Sequence, residues 1–339
     1  MSVLRFLALL VSAAFLSVMI SCSTQTPTPK ASAPAAETSS PTSSPMGGMA
    51  HSSKQININT AILSELDKLE AKLGIPALSN KIQASRPYGN VEELVSKKVI
   101  DQAQFDQIKD MVTIVDIQLT GEAKDVDYMT KLGLMKGHLI VAKELLDLQQ
   151  PDQAEPHIGH PVEEIYADVE DQLNERGIKE FKTPLIALQD LVKAGAKDGT
   201  KVGNEFKTSM QAVEGAIAAL PENQRTSPAF VLQVINGLLD TANSEYGAAI
   251  ADGKISQEIE YQDSRGFVIY ANDLYKGIAS QMAKDSPDAD KTITTTMTEL
   301  AKAWPSVVPP AAPVKTVDEV SALVKTVETA AQKSMKPAS

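Results

Sequence analysis

Cysteine occurs once in the 339-residue chain, at Cys22, so no internal disulfide can form and stability must come from packing. Aromatic residues reach only 4%, a scarcity that suits closely packed, alanine-rich helices. Cations are outnumbered, 32 Lys and Arg against 43 Asp and Glu. The resulting net charge of −11 disfavours nucleic acid or anionic lipid as the main partner and suits cations. No Gly-x-Ser-x-Gly elbow, Walker loop, Gly-x-Gly-x-x-Gly after a strand or His-Glu-x-x-His is present. Nothing marks an enzyme. Histidine is scarce as well, with four residues, yet three of them fall between positions 138 and 160.

The chain opens MSVLRFLALLVSAAFLSVMIS, residues 1–21. One arginine, Arg5, precedes an apolar run too short and too weakly flanked for a membrane span, so it reads as a secretory signal peptide. The run ends Met19-Ile20-Ser21-Cys22, and small Ser21 before the only cysteine resembles the bacterial lipobox. Met19, where that motif prefers leucine, is a departure. The resemblance implies a lipoprotein anchored through Cys22 outside the cytoplasmic membrane, in the periplasm or its equivalent. An ordinary signal peptide that ends near a cysteine is the alternative. Residues 22–53 are mostly Ser, Thr, Pro and Ala and cannot bury enough surface to offset their ordering entropy, so they form a disordered tether. Within it, Met46, Met49 and His51 offer soft ligands for copper, with a plain Gly/Met linker as the bland alternative.

Residues 54–118 form a first folded module. Leu63, Leu66, Leu69 and Leu73 keep helical spacing, Gly74-Ile75-Pro76 makes a turn, and a second helix follows to about Ser85. Asn90 then caps a short helix, and residues 101–114 supply the last one. The order ININTA, Leu-Gly-Ile, PYGNVEELV resembles the helix-hairpin-helix modules of ComEA-type competence proteins and of photosystem II extrinsic protein U. DNA-binding hairpins use Gly-x-Gly, whose bare backbone amides hold a phosphate. Here Gly74 matches the first glycine, but Pro76, which has no N–H, stands at the second. Residues 52–116 hold eight Lys or Arg against nine Asp or Glu, too few free cations to track a phosphate backbone. Protein docking is the favoured role, with nucleic acid kept as the alternative.

Residues 125–335 read as helix after helix, an all-α antiparallel bundle. Leu132, Met135, Leu139, Ala142 and Leu146 repeat at three and four, as do Val162, Ile165, Tyr166, Val169 and Leu173 after Pro161. Further helices are predicted over 180–194, 204–219, 228–251, 254–284, 288–302 and 316–334, the last opening on a Thr316/Glu319 capping box. Residues 304–314, rich in proline, should lie extended across the bundle. The stretch 244–275, Glu-Tyr, Asp-Gly-Lys, then Glu-Tyr-Gln, looks like the extracytoplasmic helical domain of bacterial Ftr-type iron permeases, as does Trp-Pro before a proline run. That resemblance implies work with iron or another transition metal. The permease's own membrane part is absent, so transport is not implied.

The candidate metal ligands are His138, His157, His160, Glu163, Glu164 and Met135. His138 lies on a helix; His157 and His160 are expected in the 156–161 loop, with Pro161 at the first position of the next helix and Glu163 and Glu164 in its first turn. Two antiparallel helices could return His157 and His160 to His138, and imidazoles with one carboxylate suit iron, copper or zinc, Met135 leaning toward copper. His160-Pro161-Val162-Glu163 also resembles the His-x-x-Glu pattern of imelysin-like periplasmic proteins. The competing account needs no metal: acidic residues favour a first helical turn, a histidine before proline can cap, and His138 can be a bonded core residue. Glu245, Glu258, Glu260 and Asp263 form a carboxylate patch, read as a solvated face, with a second oxygen-ligand site as the alternative that the iron-permease resemblance implies. The whole describes a lipid-anchored extracytoplasmic binding protein, its bundle handling a metal and its hairpin module docking a protein. A ComEA-like DNA-uptake lipoprotein and a structural subunit of a membrane complex are the alternatives.

Overall fold

The computed structural model describes residues 55–61, 63–115 and 119–335, which fall in one compact unit. The signal peptide, Cys22, the tether and its Met46, Met49 and His51 lie outside the described residues.

The chain first forms β1 (Ile56–Asn57), α1 (Leu63–Leu73), α2 (Leu78–Ala84), α3 (Glu93–Ser96), α4 (Gln102–Ile108) and β2 (Val112–Thr113). The two short strands pair in parallel, Ile56 against Val112, and clasp the module's ends. Leu66, Leu69, Leu78, Ile82, Leu94, Phe105 and Ile108 make its own small core. Gly74 closes α1 at φ +64°, a left-handed position that glycine takes at no steric cost. Asn90 does not cap α3 with its side chain: the helix starts later, at Glu93, and the Asn90 carbonyl accepts the Glu93 N–H at 3.3 Å.

Behind the hairpin turn the exposed amides are already taken. Glu70 reaches across from α1, and its carboxylate accepts the N–H of Ala77 at 2.8 Å and of Ser79 at 3.2 Å, plus the Ser79 hydroxyl at 3.1 Å. An internal carboxylate thus satisfies backbone amides at the start of α2.

The rest is helical: α5 (Gly121–Asp147), α6 (Pro151–Ala154), α7 (Pro156–His160), α8 (Tyr166–Glu175), α9 (Lys182–Lys193), α10 (Gly199–Ile217), α11 (Glu222–Arg225), α12 (Pro228–Ala249), α13 (Glu258–Asp285), α14 (Pro287–Leu300) and α15 (Val317–Met335). Helices α12 to α15 pack in a four-membered ring, with α5 laid along α12 and α13 on its outside. The Asp252-Gly253 turn is sharper than helix spacing suggested. Both residues take positive φ, 52° and 69°, and the flanking residues pair as strands β3 (Ile250–Ala251) and β4 (Lys254–Ile255), which trims both helices. Residues 304–314 run extended over α13: Trp304 Nε1 donates to Ser264 Oγ at 2.6 Å, Arg265 to the Trp304 carbonyl at 2.6 Å, and Gln262 to the Val307 carbonyl at 3.3 Å. The α15 capping box forms in both directions, Thr316 N–H to Glu319 at 2.7 Å and Glu319 N–H to Thr316 Oγ1 at 3.2 Å.

Two contacts position the bundle's buried polar side chains. Helices α5 and α13 touch backbone to backbone at Gly137 and Gly266; a Cβ on Gly266 would stand 2.8 Å from both the Gly137 carbonyl carbon and a Val141 methyl. The hairpin module meets the bundle through α1 on α12, where Lys68 pairs with Asp240 and Ala71 fits against Gly247. We expect Gly266→Ala to destabilise the fold by about 3 kcal/mol in chemical denaturation, because neither backbone can yield. A loss under about 0.5 kcal/mol, the range of ordinary surface changes, would contradict this reading of the crossing.

Candidate metal centre

The Gly137/Gly266 contact sets His138, the next residue on α5, against the first turns of α13. From the other side comes a helical run rather than the expected loop. Residues 156–175 wind continuously, with one turn, Pro161–Ile165, opened to π geometry. Pro161 has no N–H for the ordinary i−4 bond, which accounts for the wider turn, a feature common at functional sites. His157 and His160, three apart on α7, therefore share one face toward α13.

All three rings converge on Asp263. His138 Nδ1 and His157 Nδ1 each lie 2.6 Å from Asp263 Oδ1, and His160 Nδ1 lies 3.4 Å from Oδ2. The His138 and His160 rings stand edge to face, 5.3 Å between centroids, and Phe267 closes the back of His138 at 5.0 Å. His157 is wholly buried and has a second acceptor, Gln262 Oε1, at 2.8 Å from Nε2. Both its nitrogens have hydrogen-bond partners. His138, His160 and Asp263 each offer one ligand atom, all within 4.8 Å of one another.

Electrostatics follow from this burial. Asp263 is 3% exposed, and burial alone would raise its carboxyl; the His138 and His157 rings outweigh that and hold it well below the usual carboxylate range. Burial lowers His138, against the pull of Asp263. His160 keeps 32% exposure, and although burial opposes its charge, Asp263, Glu164 and Glu260 raise it to about 9. The arrangement offers three ligand atoms that could hold a metal ion. Metal binding at these atoms would displace any proton they carry, so it would depend on pH.

The other residues singled out in the sequence divide between this centre and its surroundings. Glu164 lies beside His160; its carboxyl is raised by burial, against the His160 charge, and accepts the Leu63 N–H at the start of α1. Glu163 points elsewhere, accepting from Gln189 of α9 at 3.2 Å. Met135 is buried one turn before His138. Gly74, Ile75 and Pro76 form the α1–α2 turn.

One expectation is corrected. Asp263 and Glu245, read as part of a solvated face, are each only 3% exposed, Glu260 is half-buried, and Glu258 alone is exposed. The α12–α13 hairpin turns them inward, under the 304–314 strap and against α1 and α5. The sequence carried a signal for Asp263: it precedes Phe267, Tyr270 and Leu274 at four, seven and eleven, the only charge on that apolar stripe. Gln262 and Glu70, which bond inside the fold, carried none.

Comparison with known families fits this division. Residues 221–338, which contain the α12–α15 ring, match the model described as the iron permease-associated 4-helix bundle domain. Residues 51–113 match the model described as the helix-hairpin-helix motif. No curated protein and no solved structure matches the chain. Of the converging side chains only Asp263 falls inside the bundle match; the three histidines sit on α5 and α7, before it.

The raised His160 has a measurable consequence. Its folded value, about 9, exceeds the ordinary 6.5, so the stability it supplies is full below pH 6.5 and is lost as pH rises through 9. We expect the melting temperature of the metal-free protein to fall between pH 6.5 and 9, and His160→Gln to flatten the fall across that window. An unaltered profile in the variant would show that the ring does not carry the charge assigned to it.

Proposed function

We propose that the protein is a lipid-anchored extracytoplasmic binding protein whose bundle captures a transition metal at His138, His160 and Asp263. The observation that carries this is the meeting of three ligand atoms, from three separate helices, within 4.8 Å. Two imidazoles and a carboxylate suit iron, copper or zinc. The likeness of residues 221–338 to an iron permease-associated domain favours iron. Three protein ligands leave at least one coordination position open, which suits uptake and release of cargo rather than a closed structural ion. His157 and Gln262 act behind Asp263, fixing the direction of its lone pairs. The protein binds and does not turn over a substrate.

Anchoring through Cys22 and the 22–53 tether fits a chain in which, among the described residues, no helix is long and apolar enough to cross a membrane. The hairpin module serves protein docking; nucleic acid is the weaker partner, because Glu70 already occupies the hairpin amides and Pro76 lacks one.

The test is titration of purified, chelator-stripped protein with Fe²⁺, Cu²⁺ and Zn²⁺, followed by calorimetry. We expect one tight site, lost in His138→Ala, His160→Ala and Asp263→Asn, and weakened about 10- to 100-fold in His157→Gln, a partner behind the ligands. Unchanged stoichiometry after all three histidines become alanine would end the proposal. Retention of duplex DNA by residues 51–339 at low salt would revive the competing role.

A further inference from the structure

Asp263 sits in the middle of a run on α13 whose other side chains all bond to the strap. The Tyr261 hydroxyl donates to the Ser306 carbonyl and Gln262 Nε2 to the Val307 carbonyl, each at 3.3 Å. Ser264 Oγ accepts from Trp304 Nε1 at 2.6 Å, and Arg265 Nη1 donates to the Trp304 carbonyl at 2.6 Å. Asp263 alone turns to the histidines.

Two members of the run reach further, one to each element that brings the rings. Gln262 Oε1 lies 2.8 Å from His157 Nε2 on α7. Arg265 donates from Nε and Nη2 to the two carboxylate oxygens of Glu144, on the helix of His138, at 2.8 Å each. The Val307 carbonyl is therefore joined to α7 through Gln262, and the Trp304 carbonyl to α5 through Arg265. These ties matter because α5 and α13 meet backbone to backbone at one place, Gly137 against Gly266, and a single crossing lets two helices pivot. Glu144 stands about two turns along α5 from Gly137, so its pairing with Arg265 removes that freedom. A two-pronged guanidinium–carboxylate bond fixes orientation as well as distance, which a lysine in the same place does not.

We propose that the 304–307 strap is the clamp of the metal centre: Arg265 is a positioning residue that fixes α5, Gln262 fixes α7, and both are held by strap carbonyls. The strap then sets the affinity for the ion, and the surroundings of Trp304 change when the ion binds, because coupling of this kind is reciprocal. This inference rests on the metal centre proposed above and adds the element that controls it.

Trp304 is the only tryptophan of the chain and is 3% exposed, so its emission reports on the strap alone. Zn²⁺ is the probe, since it has no redox chemistry with which to quench the ring. We expect Zn²⁺ added to chelator-stripped full-length protein to shift the Trp304 emission, saturating at the stoichiometry found by calorimetry, and to leave it unmoved in His138→Ala/His160→Ala. Arg265→Lys and Glu144→Gln should each weaken Zn²⁺ binding about tenfold, as partners behind metal ligands do, and together should cost no more than the worse of the two. Ser264→Ala, which keeps the tryptophan but removes its acceptor, should shrink the emission change. A strap that serves stability only would give a different pattern: lower melting temperatures in these variants, with Zn²⁺ affinity and the emission change as in the native protein. That pattern, or Zn²⁺ bound by the native protein with constant Trp304 emission, overturns the clamp and leaves the centre standing. Absence of Zn²⁺ binding in the native protein removes centre and clamp together.

Discussion

A single buried carboxylate, Asp263, organises the middle of this fold. Left alone in so dry a place it would take up a proton, since burial disfavours its charge. Two imidazole rings at 2.6 Å hold it ionised instead, and a third stands at 3.4 Å. The constraint that allows this is steric. Only because Gly137 and Gly266 lack side chains can α5 and α13 approach until His138 reaches Asp263. The other two rings, three residues apart on α7, come to it from one helix face just before the π turn. Packing and chemistry are here one problem, because the same backbone contacts that compact the bundle also set the ligand geometry.

Around that point the charges divide into two neighbourhoods. On the histidine side, acid and base balance within hydrogen-bonding distance. On the α1 side, burial raises the carboxyls of Asp67, Glu245 and Glu260, while the nearby His160 charge opposes the rise at Glu260. The hairpin module takes part in both: Leu63 donates to Glu164 beside His160, and Asp67 joins the carboxylates. The same module turns a glutamate, Glu70, onto its own hairpin amides. The amides at the start of α2 are thus satisfied within the module, and its first helix packs against α12.

Much of this was legible in the sequence, for physical reasons. The long helices announce themselves through spacings of three and four, the α15 cap through Thr316 and Glu319, and the strap through its prolines. Scarce histidines crowded between 138 and 160 pointed to a shared centre, and the fold brings all three rings to Asp263. What stayed hidden depends on long-range contact. Asp263 lies more than a hundred residues from the rings it meets, and the stripe that points it inward reads as ordinary helix patterning unless the one charge on it is noticed. Glu245 looked solvated because it belongs to a carboxylate-rich patch; its burial depends on helices packed from distant parts of the chain. The short strands at 250–255 were invisible because two residues are too few to alternate.

The central claim is that a metal ion binds between His138, His160 and Asp263. X-ray absorption spectroscopy of the iron- or zinc-loaded protein tests it most directly. The account predicts an inner shell with two imidazole nitrogens and at least one carboxylate oxygen, whose imidazole signal disappears when His138 and His160 are replaced. An all-oxygen shell, or one indifferent to those replacements, would contradict it.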